Sequence, residues 1–303
     1  MLSACHNGNV DPVSDSPNSA TPDGDASPIA TVAKAGEPDR YLAALLAPPA
    51  QREALLALAA FSSELSRIPL RIAHEPAMGE IRLQWWRDAL ALPPALRTGH
   101  PVADAIRKAA QIHQLPADLL ETPIDARSIL LDHTSPLTED AFRDFLWKAE
   151  GALFALSARV VGLPDSGRLH AGCTAAGQAY GLARLLLELP RMLAAGRIPL
   201  AKVQLESAGL SAEELLAGAS GGAQIEALLA DCSAQVRRNL GMARQFTATL
   251  PRALRVAFLP LALVEPYLRV LDRSGGALLR EETRVVPLTR VGRISAAHLF
   301  GRL

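Results

Sequence analysis

Apolar residues recur at helical spacing along most of the chain. Between Tyr41 and Ile68 they fall three or four positions apart, which places them on one face of a helix. They are Leu42, Leu45, Leu46, Leu55, Leu58, Phe61 and Leu65. Pro48 and Pro49 interrupt the pattern, and proline is tolerated in a first helical turn but not in an interior. The pattern predicts a short helix and then a longer one that ends at Pro69.

The same periodicity predicts further helices beyond that point. Pro76 precedes one of them and Pro93 ends it. The others cover residues 101–113, 117–131, 138–161, 168–195, 211–217, 222–248 and 251–271. The segments between these helices contain Pro, Gly, Asp or Ser, which are common where helices begin and end. Because runs of β-branched or aromatic residues are scarce, the predicted fold class is all-α.

Both ends of the chain lack this pattern. Residues 1–36 are rich in Ser, Pro, Asp and Gly and show no apolar period. We expect a disordered tail there, because such a segment buries too little surface to offset its ordering entropy. The predicted helical domain covers residues 37–272. A C-terminal extension, residues 273–303, is polar and rich in arginine, and the pattern leaves its structure open.

The segment 250–271 is apolar enough to raise the question of a membrane span. Three prolines interrupt it, as do Arg252, Arg255, Glu265 and Arg269. A charge near the middle of a span costs several kcal/mol on some scales. A buried helix pair is therefore the better interpretation, with peripheral membrane contact as the alternative.

Composition narrows the classes of function. Hydrophobic residues make up 49% of the chain and aromatic residues 4%, so the apolar content is mostly Ala and Leu, which favour helices. Basic and acidic residues balance at 31 each, so no global charge attracts nucleic acid. Cys5, Cys173 and Cys232 are far apart and suggest neither a disulfide framework nor a zinc site. They fit a reducing compartment such as the cytoplasm.

Four segments in order carry a family resemblance. They are residues 39–67, 80–90 (EIRLQWWRDAL), 145–151 (FLWKAEG) and 179–198. Together they resemble the squalene/phytoene synthase superfamily over roughly residues 38–270. The Trp-Trp-Arg-Asp segment is most similar to the branch that includes the mitochondrial assembly factor for respiratory complex I. The resemblance implies a single isoprenoid-synthase-like helical bundle around a central cavity.

Enzymes of that superfamily join two prenyl diphosphates head to head, so the resemblance implies Mg²⁺ ions that neutralise the leaving diphosphate. Asp-rich motifs on two facing helices hold these ions. At the first motif position, aligned on Ala60 and Phe61, this chain has Ser66 and Arg67. The nearest carboxylate belongs to Glu64, which is a relict candidate for a metal ligand.

The second motif position is degenerate as well. Aligned on Gly196 and Arg197, it retains Glu188, the other relict candidate, while Arg191 stands where relatives have an acid. Two lone carboxylates hold divalent ions poorly. We therefore expect no metal site and no cofactor, and we assign no catalytic residue; Mg²⁺ is expected only if the chain is an enzyme. A solvated or salt-bridged residue is the more usual role of a single Glu on a helix.

Other residues are candidates for ligand binding. Arg67, Arg184 and Arg191 could hold an anionic head group, because a guanidinium matches phosphate oxygens in a fork. Tyr180 stands where family members line the cavity. A buried tyrosine that makes a hydrogen bond is its structural alternative.

The paired tryptophans offer a candidate partner-binding face. Trp85 and Trp86 are adjacent, so they point in different directions on a helix. Core packing is the expected role of both, and contact of one of them with a partner is the alternative, since Trp is enriched at interface hot spots. Arg82 and Arg87 flank the pair, either as part of this face or as ordinary surface charges.

Three functions remain open. The first is a non-catalytic protein with a membrane-associated protein partner, acting in assembly by analogy with the complex I assembly factor. The second is an active head-to-head prenyltransferase of isoprenoid biosynthesis with substitute metal ligands. The third is a module that binds an isoprenoid or lipid ligand. We expect no nucleic acid partner, no transmembrane segment, and a cytoplasmic location or one peripheral to the membrane.

Overall fold

Helices joined by short connections follow one another through residues 27–71, 75–132, 135–279 and 285–303, which this computed structural model describes. The first half contains α1 (Pro28–Gly36), α2 (Pro38–Leu45), α3 (Pro49–Arg71), α4 (Pro76–Ala91), α5 (Pro101–His113), α6 (Ala117–Asp132) and α7 (Glu139–Leu146). The second half contains α8 (Ala152–Val160), α9 (Gly167–Ala194), α10 (Lys202–Ser207), α11 (Ala212–Leu216), α12 (Gly222–Ala248), α13 (Val264–Ser274) and α14 (Pro287–Phe300).

Irregular helical turns complete the chain. A π-helical turn, Trp147–Gly151, joins α7 to α8, and 3₁₀ segments at Arg252–Leu263 and Gly275–Ala277 flank α13. The described ranges contain no strand, and one isolated bridge pairs Leu137 with Ala201. The all-α prediction is confirmed. Pro69 lies in the last turn of α3, where the loss of one backbone hydrogen bond is tolerated, so this helix ends at Arg71 rather than at the proline.

The helix α9 runs through the centre of the bundle, where it packs against α8, α12, α13 and the π-helical turn. Small residues allow the close approach. A Cβ on Gly177 would lie 2.5 Å from the backbone nitrogen of Gly151, so these two glycines place α9 directly against the π-helical turn. This contact brings Glu150 to the surface of α9.

Most of the apolar segment 250–271 lies inside the protein. Its 3₁₀ part carries an unbroken run of buried residues from Val256 to Leu263, and α13 continues from it. The prediction of a buried helix pair is confirmed, although the first member of the pair is 3₁₀ rather than α. In the part of the chain that the structure describes, no helix combines the length and apolar character needed to cross a bilayer.

The predicted domain boundaries need correction at both ends. Residues 28–36 are not a disordered tail but form α1, which packs against α3 and buries Ala33 completely. Ile29, Val32 and Ala33 form a short helical apolar face that the abundance of small residues obscures. Residues 1–26 lie outside the described ranges. At the other end, α14 packs against α2 and the Arg252–Leu263 segment, so it is part of the same bundle.

Candidate functional site

A cluster of buried charges lies where the turn between α1 and α2, the π-helical turn, α9, α13 and α14 meet. We call it the buried charge cluster; its members are Glu37, Asp39, Arg40, Glu150, Tyr180, Arg184, Tyr267 and Arg290. Its three carboxylate residues are each less than 9% exposed. Charges this deep in a protein are stable only when they are paired and hydrogen-bonded.

Glu37 and Glu150 share two arginines. Arg184 Nη1 donates to both carboxylate oxygens of Glu37, at 3.0 and 2.8 Å, and lies 3.3 Å from Oε1 of Glu150. Arg40 Nη2 donates to Oε2 of Glu150 at 2.6 Å. The Ser62 hydroxyl, on α3, donates to Glu37 Oε1 at 3.0 Å. This network therefore ties α2, α3, α9 and the π-helical turn together.

Asp39 organises the other half of the cluster. The hydroxyls of Tyr180 and Tyr267 both donate to its Oδ2, with the Tyr180 contact at 2.9 Å. Arg290 Nε lies 2.9 Å from Oδ1, as an ion pair without the alignment of a hydrogen bond. Three helices from the second half of the chain thus converge on one carboxylate of α2.

The cluster shifts the ionisation of its members. Burial opposes the charged form of Glu150, but Arg184, Arg40 and Arg127 together hold its pKa below the usual value. Burial, with the nearby Asp39 charge, raises the pKa of Tyr180 well above its ordinary value of 10.0. Glu150 therefore remains an anion and Tyr180 a neutral donor at neutral pH.

Arg127, on α6, adds a positive charge that has no direct partner among the described residues. It is 8% exposed, and its Nε makes no hydrogen bond among the described residues. Burial lowers its pKa, while the charges of Glu150 and Glu37 act in the opposite direction. Together with Arg127, four guanidinium groups face three carboxylates in this part of the interior.

Side chains fill the space around Tyr180. The guanidinium carbon of Arg184 lies 5.3 Å from the centre of its ring, and that of Arg40 lies 5.5 Å from it. A partly open pocket beside Arg40 has a volume of about 10 Å³, which is room for about one water molecule. The ligand candidates Tyr180 and Arg184 thus come together in the structure, but as members of a packed and paired cluster.

The two degenerate motif positions show a common arrangement. Glu64 pairs with Arg67 at 3.2 Å, and Glu188 pairs with Arg191 at 2.9 Å; each arginine follows its partner by one helical turn. Each position thus retains one carboxylate beside an arginine, and a single carboxylate next to a positive charge is a poor site for a divalent cation. Among the described residues, no group of three or more His, Cys, Asp or Glu side chains is arranged to hold a metal. Within the described ranges, the residues at these two positions therefore do not fit the Mg²⁺ ions that the superfamily's enzymes use.

The tryptophan segment lies on α4, away from the buried charge cluster. Trp86 is 4% exposed and packs edge-on against Phe61, with ring centres 5.2 Å apart. Trp85 is 41% exposed. Arg87 pairs with Asp125 of α6 at 2.9 Å, whereas Arg82 points to the surface. Core packing, the expected role of both tryptophans, is confirmed for Trp86 but is wrong for Trp85, whose side chain lies on the exposed side of α4. The partner-binding role stays a prediction.

Most of the buried charge cluster could not be predicted from the sequence. Asp39 and Arg40 stood in the first resembling segment and Glu150 in the third, yet nothing in their spacing indicates that they meet. Arg40 and Glu150 are 110 residues apart, and Tyr267 and Asp39 are 228 apart. One feature of the sequence could have indicated the cluster: charged residues occur within otherwise apolar helical segments. Such residues are buried if the segment is buried, and buried charges need partners.

Comparison with known proteins agrees with this geometry. Residues 33–291 match the squalene/phytoene synthase family, a wider range than the predicted 37–272. Complex I assembly factor 6 of Mus musculus is 27% identical over 258 residues, covering 83% of this chain and 76% of that protein. The Drosophila melanogaster homologue is 28% identical over 247 residues, covering 78% of this chain and 72% of its own length.

Solved structures share the fold. Squalene synthase HpnC from Alicyclobacillus acidocaldarius superposes with a TM-score of 0.67 at 18% identity, covering 82% of this chain and 92% of that one. A dehydrosqualene synthase gives a TM-score of 0.69 at 14% identity, covering 90% of this chain and 94% of that one. The isoprenoid-synthase-like helical fold is confirmed, and the chain belongs to the squalene/phytoene synthase family.

Proposed function

We propose that this chain is a non-catalytic member of its family that acts through a protein partner, in the manner of relatives named as complex I assembly factors. The observation that carries the proposal is the pairing at the two motif positions. Each position retains one carboxylate, and an arginine one turn further along the helix neutralises it. A cation would have to displace that arginine and then bind with too few ligands.

The buried charge cluster supports a scaffold role. Its carboxylates are bound by Arg40, Arg184 and Arg290, and such pairs position helices without carrying out chemistry. Buried ion pairs are retained in some proteins because they specify one arrangement of elements rather than because they add stability. A protein that works by presenting a fixed surface needs this property.

The partner surface that we propose is the outer face of α4. Met78, Ile81 and Trp85 fall on one side of the helix at spacings of three and four residues, and each is more than 40% exposed. Arg82 lies beside them and is exposed. An exposed Trp with a neighbouring aliphatic residue and an arginine has the composition of a binding hot spot.

A crosslinked pull-down from cells that produce the full chain tests this proposal. We expect the wild-type chain to capture subunits or assembly intermediates of complex I. The double variant Ile81→Ser, Trp85→Ala should capture at least tenfold less of these components. A matched control is Ile112→Ser, because Ile112 is also 62% exposed but lies on α5. Failure to capture any complex I component, or equal capture by the double variant, would contradict the proposal.

A second candidate function, binding of an anionic isoprenoid or lipid, is favoured by Arg127. A buried guanidinium with no direct partner among the described residues is compatible with an anion at that place. Extraction of the purified protein and mass spectrometry of the extract test this function. A bound anionic lipid that disappears in Arg127→Leu would support it; an extract without lipid would argue against it.

A further inference from the structure

The last helix carries an unusual amount of exposed apolar surface. Of the 14 large hydrophobic side chains that are exposed among the described residues, five lie between positions 286 and 300. They are Val286 (62% exposed), Leu288 (79%), Val291 (45%), Leu299 (66%) and Phe300 (74%). Single exposed apolar residues need no explanation, but a concentration on one short segment indicates an interaction site.

Three of these residues form a stripe along α14. Leu288, Val291 and Leu299 follow one another at helical spacing and share one side of the helix, with the small polar Ser295 between the last two. The opposite side carries Ile294 and Ala297, which are buried. The helix therefore has its inner face packed on the protein and its outer, largely apolar face unpartnered among the described residues.

Several arginines hold α14 on the bundle. Arg290 pairs with Asp39 in the buried charge cluster. At the other end of the helix, Arg252 donates to the carbonyl of Leu299, and Arg255 donates to that of Gly301 at 2.8 Å. The outer face is thus presented by a helix that is fixed at both ends.

The charge around the stripe has one sign. Residues 285–303 contain three arginines and no Asp or Glu. Arg293 and Arg302 are exposed and form no ion pair with any described residue. Arg252 and Arg255 donate to carbonyl groups, which leave their positive charge uncompensated. The apolar stripe is therefore bordered by free positive charge.

We propose that the outer face of α14 docks on the surface of an anionic lipid bilayer. An amphipathic helix with an apolar face and basic borders lies in the interfacial plane, with its apolar side chains among the acyl chains and its cations among acidic head groups. The charge argues for lipid over a protein partner, because positive charge borders the stripe on a helix that carries no acid. This inference goes beyond the proposed function and does not depend on it.

Co-sedimentation of the full chain with vesicles tests the inference. The probes are vesicles of phosphatidylcholine alone and vesicles that contain about one third phosphatidylserine. We expect binding to the anionic vesicles, with a partition coefficient that falls at least tenfold when salt is raised from about 0.1 M to about 0.5 M, because surface charges are screened. We also expect the partition coefficient to fall at least tenfold in the triple variant Leu288→Ser, Val291→Ser, Leu299→Ser, which removes the apolar stripe.

Two controls separate lipid docking from other effects. Ile112→Ser removes an equally accessible apolar side chain on α5 and should bind as the wild type does. Circular dichroism should show unchanged melting of the triple variant, since all three of its sites are exposed. Absence of binding to anionic vesicles, or undiminished binding by the triple variant, overturns the inference. So does a dimer in solution that the triple substitution abolishes, since a second copy would then cover the stripe.

Discussion

Arg184 binds both carboxylate oxygens of Glu37 and so joins α9 to the turn between α1 and α2, across 147 residues of sequence. Glu37 is 1% exposed and also accepts a hydrogen bond from Ser62 of α3. One carboxylate thus fixes three parts of the bundle. Glu37 is therefore a structural anion of the bundle.

Glu37→Gln should destabilise the fold by about 3 kcal/mol, because it leaves buried guanidinium charge uncompensated. Urea denaturation of the full chain measures the change in the free energy of unfolding. The matched control is Glu188→Gln, which breaks an exposed carboxylate–arginine pair and should cost less than about 1 kcal/mol. Equal losses in the two variants would show that the buried pair has no special structural role.

The site could be predicted only in part, because the sequence shows periodicity but not pairing across the fold. The degenerate motifs were recognisable from Arg67 and Arg191, since a base at a metal-ligand position is visible in a sequence. The ion pairs of Arg184 were not recognisable, because its partners Glu37 and Glu150 come from distant elements. The ion pairs of Glu64 and Glu188 could have been expected, since residues three apart are neighbours on a helix.

The two tryptophans should differ in their effect on stability. Trp86→Ala should cost about 3–5 kcal/mol, because it empties a core position against Phe61. Trp85→Ala should cost about 1 kcal/mol or less, because that side chain is 41% exposed. Thermal melting and urea denaturation measure both. A large loss in Trp85→Ala would assign this residue to the core and weaken its proposed role in partner binding.

Stability should fall at both ends of the pH range. The pKa of Glu150 is lower in the folded chain than its ordinary value of 4.5, so its contribution is present above about that pH and is lost as pH falls further. The pKa of Tyr180 is raised above 10.0, so its contribution is present below pH 10.0 and is lost as pH rises beyond it. Urea denaturation across the pH range measures the loss of stability at acid and at alkaline pH.

Two variants test whether Glu150 and Tyr180 cause these losses of stability. In Glu150→Gln, the free energy of unfolding should fall less steeply at acid pH. In Tyr180→Phe, it should fall less at alkaline pH. If stability falls as steeply at acid pH in Glu150→Gln as in the wild type, other carboxylates are responsible for that loss.

The fold was largely predictable because helical periodicity and proline breaks depend on local sequence. The errors lie where tertiary contacts decide the outcome. The face formed by Ile29, Val32 and Ala33 is too short to form a helix alone, and α3 supplies the surface that stabilises α1. For the same reason α14 could not be placed, since Asp39 and the Arg252–Leu263 segment hold it in position.

Release of diphosphate from farnesyl or geranylgeranyl diphosphate in the presence of Mg²⁺ tests the absence of catalysis most directly. We expect no release above background from a protein shown by circular dichroism to be folded and helical, because both relict carboxylates are bound by arginine. Release that chelation stops and that Glu188→Gln abolishes would contradict this expectation, and would mean that substitute ligands hold the metal in this chain.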